Sequence, residues 1–341
     1  MKAAVYHCPE KVRLEEVPLP RIKEEEVLVR VKVALTCGTD RKLYLRGHPL
    51  FPPPFILGHE FAGDIAKIGK GVKKFKKGMR VVAANSAPCH HCFYCKLGKE
   101  ELCENFFIRL SGAFAEYIAI PEPIVRDNLF EIPKDITYQE AVFLEPLACV
   151  IHGIEESQIK LGDTVVINGA GPIGLLFLQL AKLQGARVII TDLSKGRLSL
   201  ASKLGADKVL NVTQVKDEVK AVRELTEGKR GADIAIEAVG SPEVWEKTIA
   251  MVRRGGLVNL FGGCSPKTLI KIPTNLLHYN EVTIKGVFHH TPDYVRKAFA
   301  LICDKSINTE SLITQQFPLQ KIKKVLELTT AQEGLKFAII P

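Results

Sequence analysis

The chain has 341 residues, more than one hydrophobic core usually serves, so its length predicts two domains or one large α/β domain with an appendage. With 46% hydrophobic and 25% charged residues, the composition excludes disordered, collagen-like and membrane classes. The formal charge of +9 leaves an anionic partner open, but the lysine-rich segment 67–80 contains glycine turns and no supporting motif. We therefore expect a solvated surface hairpin there, and neither a nucleic-acid nor a membrane partner.

The start of the chain and its cysteines indicate the cellular compartment. The first ten residues turn charged at once and lack the apolar core of a signal peptide. The nine cysteines are an odd number, and four of them lie within residues 89–103, a pattern typical of metal binding and not of disulfides. Both observations predict a cytoplasmic protein.

The first third of the chain is predicted to be rich in β-structure. From residue 1 to about 120, short alternating segments such as 27–33 and 114–120 are separated by frequent turns. The three prolines at 52–54 cannot lie in a regular helix or a central strand. They predict an extended loop that delivers Gly58-His59-Glu60 to a defined place.

From about residue 144 the pattern changes to strands that alternate with helices. This alternation predicts a parallel sheet with crossover helices. Two helical segments and an apolar strand follow residue 286, and that last strand could extend the second domain or return to the first. The predicted strands are 164–168, 187–192, 208–210, 234–238, 256–261 and 335–340, and the late helices are 293–305 and 319–330.

A glycine-rich segment with the pattern G-x-G-x-x-G lies between an apolar strand and an apolar helix. Such glycines let the backbone approach a pyrophosphate, and the helix start offers free N–H groups. Asp192 lies eighteen residues beyond Gly174. Its carboxylate can accept hydrogen bonds from a ribose diol and would repel a 2′-phosphate, which favours NAD over NADP. The nearby Arg197 could weaken this preference, because its positive charge would attract a 2′-phosphate. The alternative is a tight strand–helix turn beside an exposed acid. The predicted cofactor-binding residues are Gly169, Gly171, Pro172, Ile173, Gly174, Asp192 and Arg197.

Four cysteines, Cys89, Cys92, Cys95 and Cys103, lie in one short segment. Four thiolates at this spacing close a tetrahedral shell around Zn²⁺ and leave no position for a substrate, which predicts a structural site. An iron–sulfur cluster is the alternative, but the ferredoxin pattern has a shorter last gap followed by proline. We expect His90 and His91 to be exposed loop residues. Taken alone, the segment would also suit a zinc-ribbon binding module.

A third, dispersed set combines Cys37-Gly38-Thr39-Asp40, Gly58-His59-Glu60 and Glu145. A lone cysteine or histidine is usually a packing residue. Together, however, cysteine, histidine and carboxylate ligands with an open position are typical of catalytic zinc. The sequence therefore suggests a second, reactive metal site.

These motifs, in this order and spacing, resemble the zinc-dependent medium-chain dehydrogenases on the sorbitol (polyol) and threonine dehydrogenase branch. The resemblance covers essentially the whole chain. It implies an α/β protein with a GroES-like β-rich catalytic domain at 1–146, which includes a structural zinc lobe at about 86–105. A doubly wound parallel-sheet Rossmann domain that binds NAD would occupy 147–287, and 288–341 would complete the catalytic domain. The active site would lie in the cleft between the domains.

The resemblance also implies roles for the dispersed residues. Cys37 and His59 look like ligands of the catalytic zinc, and Glu60 like a ligand or a nearby carboxylate. Glu145 would bind that zinc or its water. Each subunit would then hold one catalytic and one structural Zn²⁺.

The remaining implied roles concern proton transfer and the cofactor. Thr39 would pass the alcohol proton onward, and Asp40 would orient the ligand His59 through its second ring nitrogen. Family members often have a relay histidine where this chain has Arg41-Lys42, so Lys42 or water would complete the relay. The backbone at Val239 would lie against the cofactor.

The predicted function is a zinc- and NAD-dependent dehydrogenase that oxidises a secondary alcohol or polyol to the ketone by hydride transfer. Zinc would lower the pKa of the alcohol, and the nicotinamide would accept the hydride. The alternatives are L-threonine 3-dehydrogenase, a sugar-phosphate polyol dehydrogenase and, from another class, a non-catalytic NAD-binding zinc module. By the same resemblance we expect a small-molecule substrate and a homotetramer or homodimer.

Overall fold

The structure is a computed structural model that describes residues 1–47, 51–105 and 110–341. It divides into two compact units, and each is described by itself. Unit 1 consists of Met1–Ala148 together with His290–Pro341, and unit 2 consists of Cys149–His289. No helix in the described ranges is both long and apolar enough to cross a membrane.

Sixteen strands and twelve α-helices lie in the described part of the chain. The strands are β1 (Lys2–Cys8), β2 (Lys11–Glu16), β3 (Val27–Leu35), β4 (Phe55–Ile56), β5 (Glu60–Ile68), β6 (Arg80–Ala83), β7 (Tyr117–Ile120), β8 (Leu129–Glu131), β9 (Thr164–Asn168), β10 (Arg187–Asp192), β11 (Lys208–Asn211), β12 (Ala232–Glu237), β13 (Val252–Leu260), β14 (Thr283–Gly286), β15 (Ile313–Pro318) and β16 (Lys336–Ile340). The helices are α1 (Gly38–Arg46), α2 (Phe93–Lys96), α3 (Glu122–Asp127), α4 (Tyr138–Ala141), α5 (Leu144–Ser157), α6 (Pro172–Leu183), α7 (Lys195–Lys203), α8 (Glu218–Glu224), α9 (Pro242–Met251), α10 (Thr274–His278), α11 (Pro292–Cys303) and α12 (Ile322–Thr330). Short 3₁₀ turns occupy Glu100–Leu102, Val212–Gln214, Glu227–Lys229, Glu310–Leu312 and Leu319–Lys321.

Unit 1 is built on two mainly antiparallel sheets. A small sheet has the strand order β2-β1-β4, and a larger one has the order β15-β16-β3-β5-β6-β8, with β7 also paired to β3. Strand β3 is buried along most of its length because neighbouring strands and a packed core cover it. Its valines Val27, Val29 and Val31 belong to the same core cluster as Phe61 of β5. This explains the β-rich character that the sequence predicts.

The end of the chain returns to unit 1. Strand β16 pairs in parallel with β15 and antiparallel with β3, with Ala338 opposite Leu35. The predicted final strand 335–340 therefore joins the larger sheet of unit 1. Of the two predicted alternatives, the one in which this strand returns to the first domain is the one observed. The predicted helix 319–330 is in fact a 3₁₀ turn followed by α12.

Unit 2 contains a six-stranded parallel sheet with the order β11-β10-β9-β12-β13-β14. Strands β9 and β10 have the predicted limits, and β11, β12 and β13 agree with prediction within a few residues. Strand β14 was missed because its four residues, Thr-Ile-Lys-Gly, carry no apolar run. The order is that of the doubly wound dinucleotide-binding fold, in which the direction of winding reverses between β9 and β12. The predicted fold class, a β-rich unit with a doubly wound α/β unit, is confirmed.

Candidate metal centres and cofactor site

The four clustered cysteines converge in space in unit 1. The Sγ atoms of Cys89, Cys92, Cys95 and Cys103 all lie within 4.8 Å of one another. Cys89 Sγ is 4.0 Å from Cys95 Sγ, and Cys92 Sγ is 3.9 Å from Cys103 Sγ. A tetrahedral zinc with bonds of about 2.3 Å separates its sulfurs by about 3.8 Å. The donor set and its dimensions therefore fit one zinc ion with no open position.

Backbone N–H groups donate hydrogen bonds to two of these sulfurs. The Cys89 N–H donates to Cys103 Sγ over 3.3 Å, and the Cys92 N–H donates to Cys89 Sγ over 3.4 Å. Burial disfavours the Cys89 thiolate, but N–H donors around it, His91 first among them, lower its pKa to about 5. The side chains of His90 and His91 are both exposed and stay outside the cluster. His90 instead joins Glu100 and Asp127, each over 2.9 Å.

A second cluster in unit 1 brings together Cys37, His59 and Glu60, whose ligand atoms lie within 4.8 Å of one another. The larger sheet creates this proximity: Leu35, at the end of β3, pairs with Glu60, the first residue of β5. Cys37 follows two residues later as the N-cap of α1, and its sulfur accepts the Thr39 N–H over 3.5 Å. Residues that are 22 positions apart in sequence thus reach one buried point. A thiolate, an imidazole and a carboxylate are a donor set that suits zinc.

Asp40 lies behind His59. One carboxylate oxygen accepts the Cys37 N–H over 2.8 Å and completes the capping box of α1, while the other is 3.4 Å from His59 Nδ1. Burial would lower the pKa of His59, but the Asp40 carboxylate reverses this and raises that pKa well above its usual value. An Nδ1–H that faces Asp40 leaves Nε2 available as the ligand atom.

Lys336 is a member of this site that the sequence analysis missed. Its side chain is buried, and its Nζ donates to Glu60 Oε1 over 2.7 Å, to Glu60 Oε2 over 2.5 Å and to the Thr36 carbonyl over 3.0 Å. Burial raises the pKa of Glu60, and the Lys336 ammonium opposes that rise. The one usable signal in the sequence was a lysine within the apolar closing strand.

The other predicted residues of this site differ in their exposure to solvent. Glu145, in the first turn of α5, is buried and raises the pKa of Glu60 through its charge. Its carboxylate is not part of the 4.8 Å cluster of Cys37, His59 and Glu60, and it lies instead within 4.8 Å of a His290 ring nitrogen. Thr39 and Lys42 are exposed on α1.

The glycine-rich segment of unit 2 forms a tight turn between β9 and α6. Helix α6 begins at Pro172 with Gly171 as its N-cap, so the segment lies between a strand and a helix, as the sequence predicts. Gly169 has a φ of +104°, and a Cβ placed on Gly174 would lie 1.7 Å from the Gly169 carbonyl oxygen. Only glycine fits at position 174 without moving the helix away from the strand. Ile173 lies in the same first turn of α6.

Asp192 ends β10 and contacts this turn directly. Its Oδ2 accepts the Ala170 N–H and its Oδ1 accepts the Ser194 N–H, each over 2.8 Å. Arg197, in the first turn of α7, places Nη1 4.0 Å from Asp192 Oδ2. The structure thus brings the acid and the arginine to the carboxyl end of the parallel sheet, where open α/β sheets bind ligands.

The turn after β12 lies against the glycine-rich turn. A Cβ on Gly169 would be 2.8 Å from a methyl group of Val239, whose side chain is about half exposed. The Val239 and Gly240 N–H groups both donate to the buried side chain of Glu237, a residue that the sequence analysis did not single out. Its signal in the sequence was an acid at the end of the strand Ile-Ala-Ile.

Two family descriptions match the chain. Residues 23–134 match the alcohol dehydrogenase GroES-like domain, and residues 172–304 match the zinc-binding dehydrogenase family. The sorbitol dehydrogenase of Bacillus subtilis is 35% identical over 353 residues, which cover 100% of this chain and 97% of that protein. The L-threonine 3-dehydrogenase of the same organism is 34% identical, with 96% of this chain and 94% of that protein covered.

The chain belongs to the zinc-binding alcohol dehydrogenases. Three solved structures extend this finding to the fold of the dehydrogenase. They are an alcohol dehydrogenase from Thermus sp. ATN1 (30% identity, TM-score 0.89, 100% of this chain and 99% of that chain), a putative zinc-binding dehydrogenase from Sinorhizobium meliloti bound to NADP (31%, 0.90, 100% and 99%) and an Escherichia coli alcohol dehydrogenase complexed with NADH (27%, 0.89, 100% and 99%).

These relatives confirm several predictions for the dehydrogenase. It is an enzyme of the polyol and threonine branch, it has GroES-like and Rossmann parts, and it uses zinc and a nicotinamide cofactor. Its substrate is a small molecule. The alternative prediction of a non-catalytic NAD-binding zinc module is therefore not supported, because these relatives are dehydrogenases.

Proposed function

We propose that this dehydrogenase oxidises a secondary hydroxyl group of a polyol to the ketone, with NAD as the acceptor. The observation that carries the proposal is the convergence of Cys37 and His59 with two buried carboxylates, Glu60 and Glu145, because thiolate, imidazole and carboxylate groups together are typical of a reactive zinc site. The sorbitol dehydrogenase relative supports the choice of a polyol. In this proposal unit 1 is the catalytic domain and unit 2 holds the cofactor.

In the proposed metal site, Cys37 and His59 are protein ligands. Glu60 is already bonded through both oxygens to Lys336, so we assign it to charge balance beside the metal and not to ligation. Glu145 then supplies the third ligand, directly or through water, since its charge lies close enough to act on Glu60. When bound, zinc supplies a Lewis acid that lowers the pKa of an alcohol, and the nicotinamide accepts the hydride.

Removal of the alcohol proton is assigned to Thr39. This residue is in the first turn of α1, two positions after Cys37, and it is exposed, so its hydroxyl can pass a proton directly to water. Lys42 is then not required for the relay. We expect Thr39→Val to lower kcat more than tenfold and Thr39→Ser to retain most of the activity. The matched variant Lys42→Ala should keep the pH–rate profile of the wild type, and a shifted profile would return Lys42 to the relay.

We propose NAD and not NADP as the cofactor. The Asp192 carboxylate at the end of β10 is suited to a ribose diol and would repel a 2′-phosphate. Arg197 is 4.0 Å from Asp192, so its charge is partly balanced by that acid. The Gly169–Gly174 turn would hold the pyrophosphate against the start of α6. Asp192→Gly should shift the ratio of kcat/KM values toward NADP, and an unchanged ratio would refute this assignment.

The remaining proposals concern the structural metal, the location and the assembly. Cys89, Cys92, Cys95 and Cys103 would hold the second zinc as thiolates, which suits a reducing compartment such as the cytoplasm.

We also propose a homodimer or homotetramer. The edge strand β14 and the strongly exposed Leu269 and Tyr279 support an interface on unit 2. Light scattering on the purified enzyme would test the assembly, and a monomer would refute it.

The test of the function is NADH formation followed by absorbance across a substrate panel. The panel contains polyols, polyol phosphates, simple secondary alcohols and L-threonine, each with and without a zinc chelator. We expect chelator-sensitive turnover with polyols. Turnover confined to L-threonine or to the phosphates would replace polyols by that class, and turnover that survives chelation with both zincs removed would refute the metal mechanism.

A second test separates the two carboxylates. Zinc content and activity are measured for Glu145→Gln and Glu60→Gln. If Glu145 completes the metal site, Glu145→Gln loses about tenfold or more in activity together with part of the zinc, as expected when a metal site loses one of its partners. Glu145→Gln with wild-type activity and zinc content would assign the third position to another group.

A further inference from the structure

Glu237 is an unexplained carboxylate at the functional edge of unit 2. It is the last residue of β12 and is fully buried, with 0% of its surface exposed. Its Oε1 accepts the Val239 N–H over 2.9 Å and the Gly240 N–H over 2.8 Å. Its Oε2 has no hydrogen-bond partner in the described ranges of the chain. A buried, half-satisfied acid is costly, so it needs a reason to be there.

The cost of Glu237 is visible in its acidity. Burial raises its pKa to about 7, and the surrounding N–H groups, those of Gly240 and Val239 first and those of Trp245 and Gly262 after them, counteract only part of that rise. The cofactor cannot reach the side chain itself, because its surface is entirely covered. Any effect on the cofactor must therefore pass through the backbone that the carboxylate holds.

The backbone around Glu237 consists of three turns at the carboxyl edge of the sheet. The Gly169 turn meets Val239, as described above, and a Cβ on Gly262 would lie 2.4 Å from the Gly240 nitrogen and 2.5 Å from Glu237 Oε2. The Gly262 N–H donates to the Glu237 carbonyl over 2.9 Å, and Trp245 Nε1 donates to the Gly262 carbonyl over 2.9 Å. Glu237 thus lies where the turns after β12 and β13 come together.

The strand order identifies which part of a dinucleotide these turns would meet. In a doubly wound sheet, each half binds one mononucleotide, on either side of the point where the order reverses. Strands β9, β10 and β11 form the half that carries the glycine-rich turn and Asp192, which suits the adenosine side. Strands β12, β13 and β14 form the other half, and Glu237 is the last residue of the first of them.

We propose that Glu237 is a positioning residue for the nicotinamide mononucleotide half of the cofactor, because its carboxylate fixes the turns after β12 and β13 in the shape that receives this half. The proposal rests on the proposed function in one respect, namely that unit 2 binds NAD. If Glu237 has this role, binding of the adenosine half of the cofactor should not depend on Glu237, whereas binding of the nicotinamide half should.

The experiment uses the full-length enzyme and compares two ligands, AMP and NADH, by calorimetric titration. Glu237→Asp shortens the side chain and withdraws the acceptor from the Val239 and Gly240 N–H groups. We expect the Kd of NADH to rise about tenfold, as for the loss of about two backbone hydrogen bonds that support one ligand half. The Kd of AMP should stay within about twofold. The KM for NAD should rise in parallel with the Kd of NADH.

Two further variants control the experiment. Glu237→Gln keeps an oxygen in place to accept both N–H groups, so it should bind NADH within about threefold of the wild type. Asp233→Asn changes an acid at the opposite end of the same strand, where Asp233 accepts the Thr164 N–H over 2.7 Å and Arg253 Nε over 2.6 Å. It should lower stability without changing the ratio of the two dissociation constants.

Three results would overturn the proposal. Glu237→Asp that binds NADH like the wild type shows that the turns do not depend on the carboxylate. Equal losses of AMP and NADH show that Glu237 supports the whole unit and not one half of the site. Glu237→Gln that loses as much NADH affinity as Glu237→Asp shows that acceptor geometry is not the cause. A wild-type enzyme that binds neither ligand would instead refute the proposed cofactor site, on which the proposal depends.

Discussion

At the scale of single residues, Lys336 and Glu60 form a buried ion pair in unit 1. Both side chains are almost completely buried, at 3% and 0% exposure. Two charges removed from water are tolerated only when they are paired and hydrogen-bonded, and both oxygens of Glu60 are bonded to the ammonium. Removal of one partner therefore leaves the other as an uncompensated buried group.

We predict that Lys336→Met destabilises the enzyme by about 3 kcal/mol in urea unfolding, because Glu60 then remains in the core as an unpaired carboxylate or takes up a proton. The neutral double variant Glu60→Gln/Lys336→Met should recover at least half of this loss. Lys323→Met, on the exposed face of α12, is the matched control and should change stability by less than about 0.5 kcal/mol. Equal stability of Lys336→Met and Lys323→Met would show that the buried pair is energetically neutral.

At the scale of elements, the start of α6 depends on one close approach. Gly174 lies directly against the Gly169 carbonyl, so α6 and β9 can be joined by a short turn only if position 174 lacks a side chain. By contrast, Gly196 in α7 has open space around it, since a Cβ there would find only Ser194 Oγ, at 3.8 Å. Glycine is therefore a steric requirement at position 174, whereas at position 196 a side chain would affect only the backbone preference.

We predict that Gly174→Ala destabilises unit 2 by about 1–3 kcal/mol and weakens NADH binding more than tenfold, because α6 must move away from β9. Gly196→Ala should instead stabilise the enzyme by about 0.4–1 kcal/mol, because alanine fits the backbone of the first turn of α7 and restricts the unfolded chain. Thermal unfolding and NADH titration measure both effects. Opposite signs for the two variants are expected, and a neutral Gly174→Ala would show that the turn can relax.

The cysteine-rich segment is an element that depends on its metal. Helix α2 has only four residues, and the nearby side chains of Phe93, Leu97 and Leu102 are exposed, so little apolar burial holds the segment together. In such a segment, most of the folding energy comes from metal binding.

We predict that Cys95→Ser reduces the zinc content by about one ion per chain and lowers the melting temperature, because three ligands hold zinc less tightly than four. Cys8→Ser, at an exposed cysteine outside both clusters, is the control and should change neither quantity. Zinc is measured by atomic emission and melting by calorimetry. A Cys95→Ser enzyme that retains its full zinc content would refute the structural site.

At the scale of the whole molecule, the two units differ in how the chain builds them. Unit 2 is a continuous segment with its own parallel sheet and core cluster, whereas unit 1 is formed from two segments that are far apart in sequence. Strand β16 lies inside the larger sheet between β15 and β3, and it also supplies Lys336 to the Cys37–His59–Glu60 cluster. The end of the chain is thus part of both the core and the proposed metal site of unit 1.

We predict that the fragment 149–289 folds cooperatively and binds AMP, because its core and its glycine-rich turn are complete within the segment. Deletion of residues 336–341 from the full chain should instead unfold unit 1, since it removes an internal strand and leaves Glu60 unpaired. Circular dichroism melts and AMP titration test both statements. A truncated enzyme with an unchanged melting profile would show that β16 is dispensable.

Motifs whose residues are close along the chain could be predicted from the sequence. The four cysteines, the glycine-rich turn with its strand and helix, and Asp192 at the end of the next strand were all predicted, because local spacing decides their geometry. The strands β9 to β13 followed in the same way from apolar runs, within a few residues of their limits. Strand β14, which has no such run, did not.

Contacts between residues that are far apart in the sequence could be found only from the folded chain. The pairing of β16 with β3 brings Lys336 to Glu60, and the convergence of the turns after β12 and β13 buries Glu237 against Gly262. A buried charge in an apolar strand is visible in the sequence, but its partner is not, because partners are selected by strand pairing over hundreds of residues. The same reason explains why Glu60, adjacent to His59 in sequence, proved to be bonded to a lysine at the opposite end of the chain.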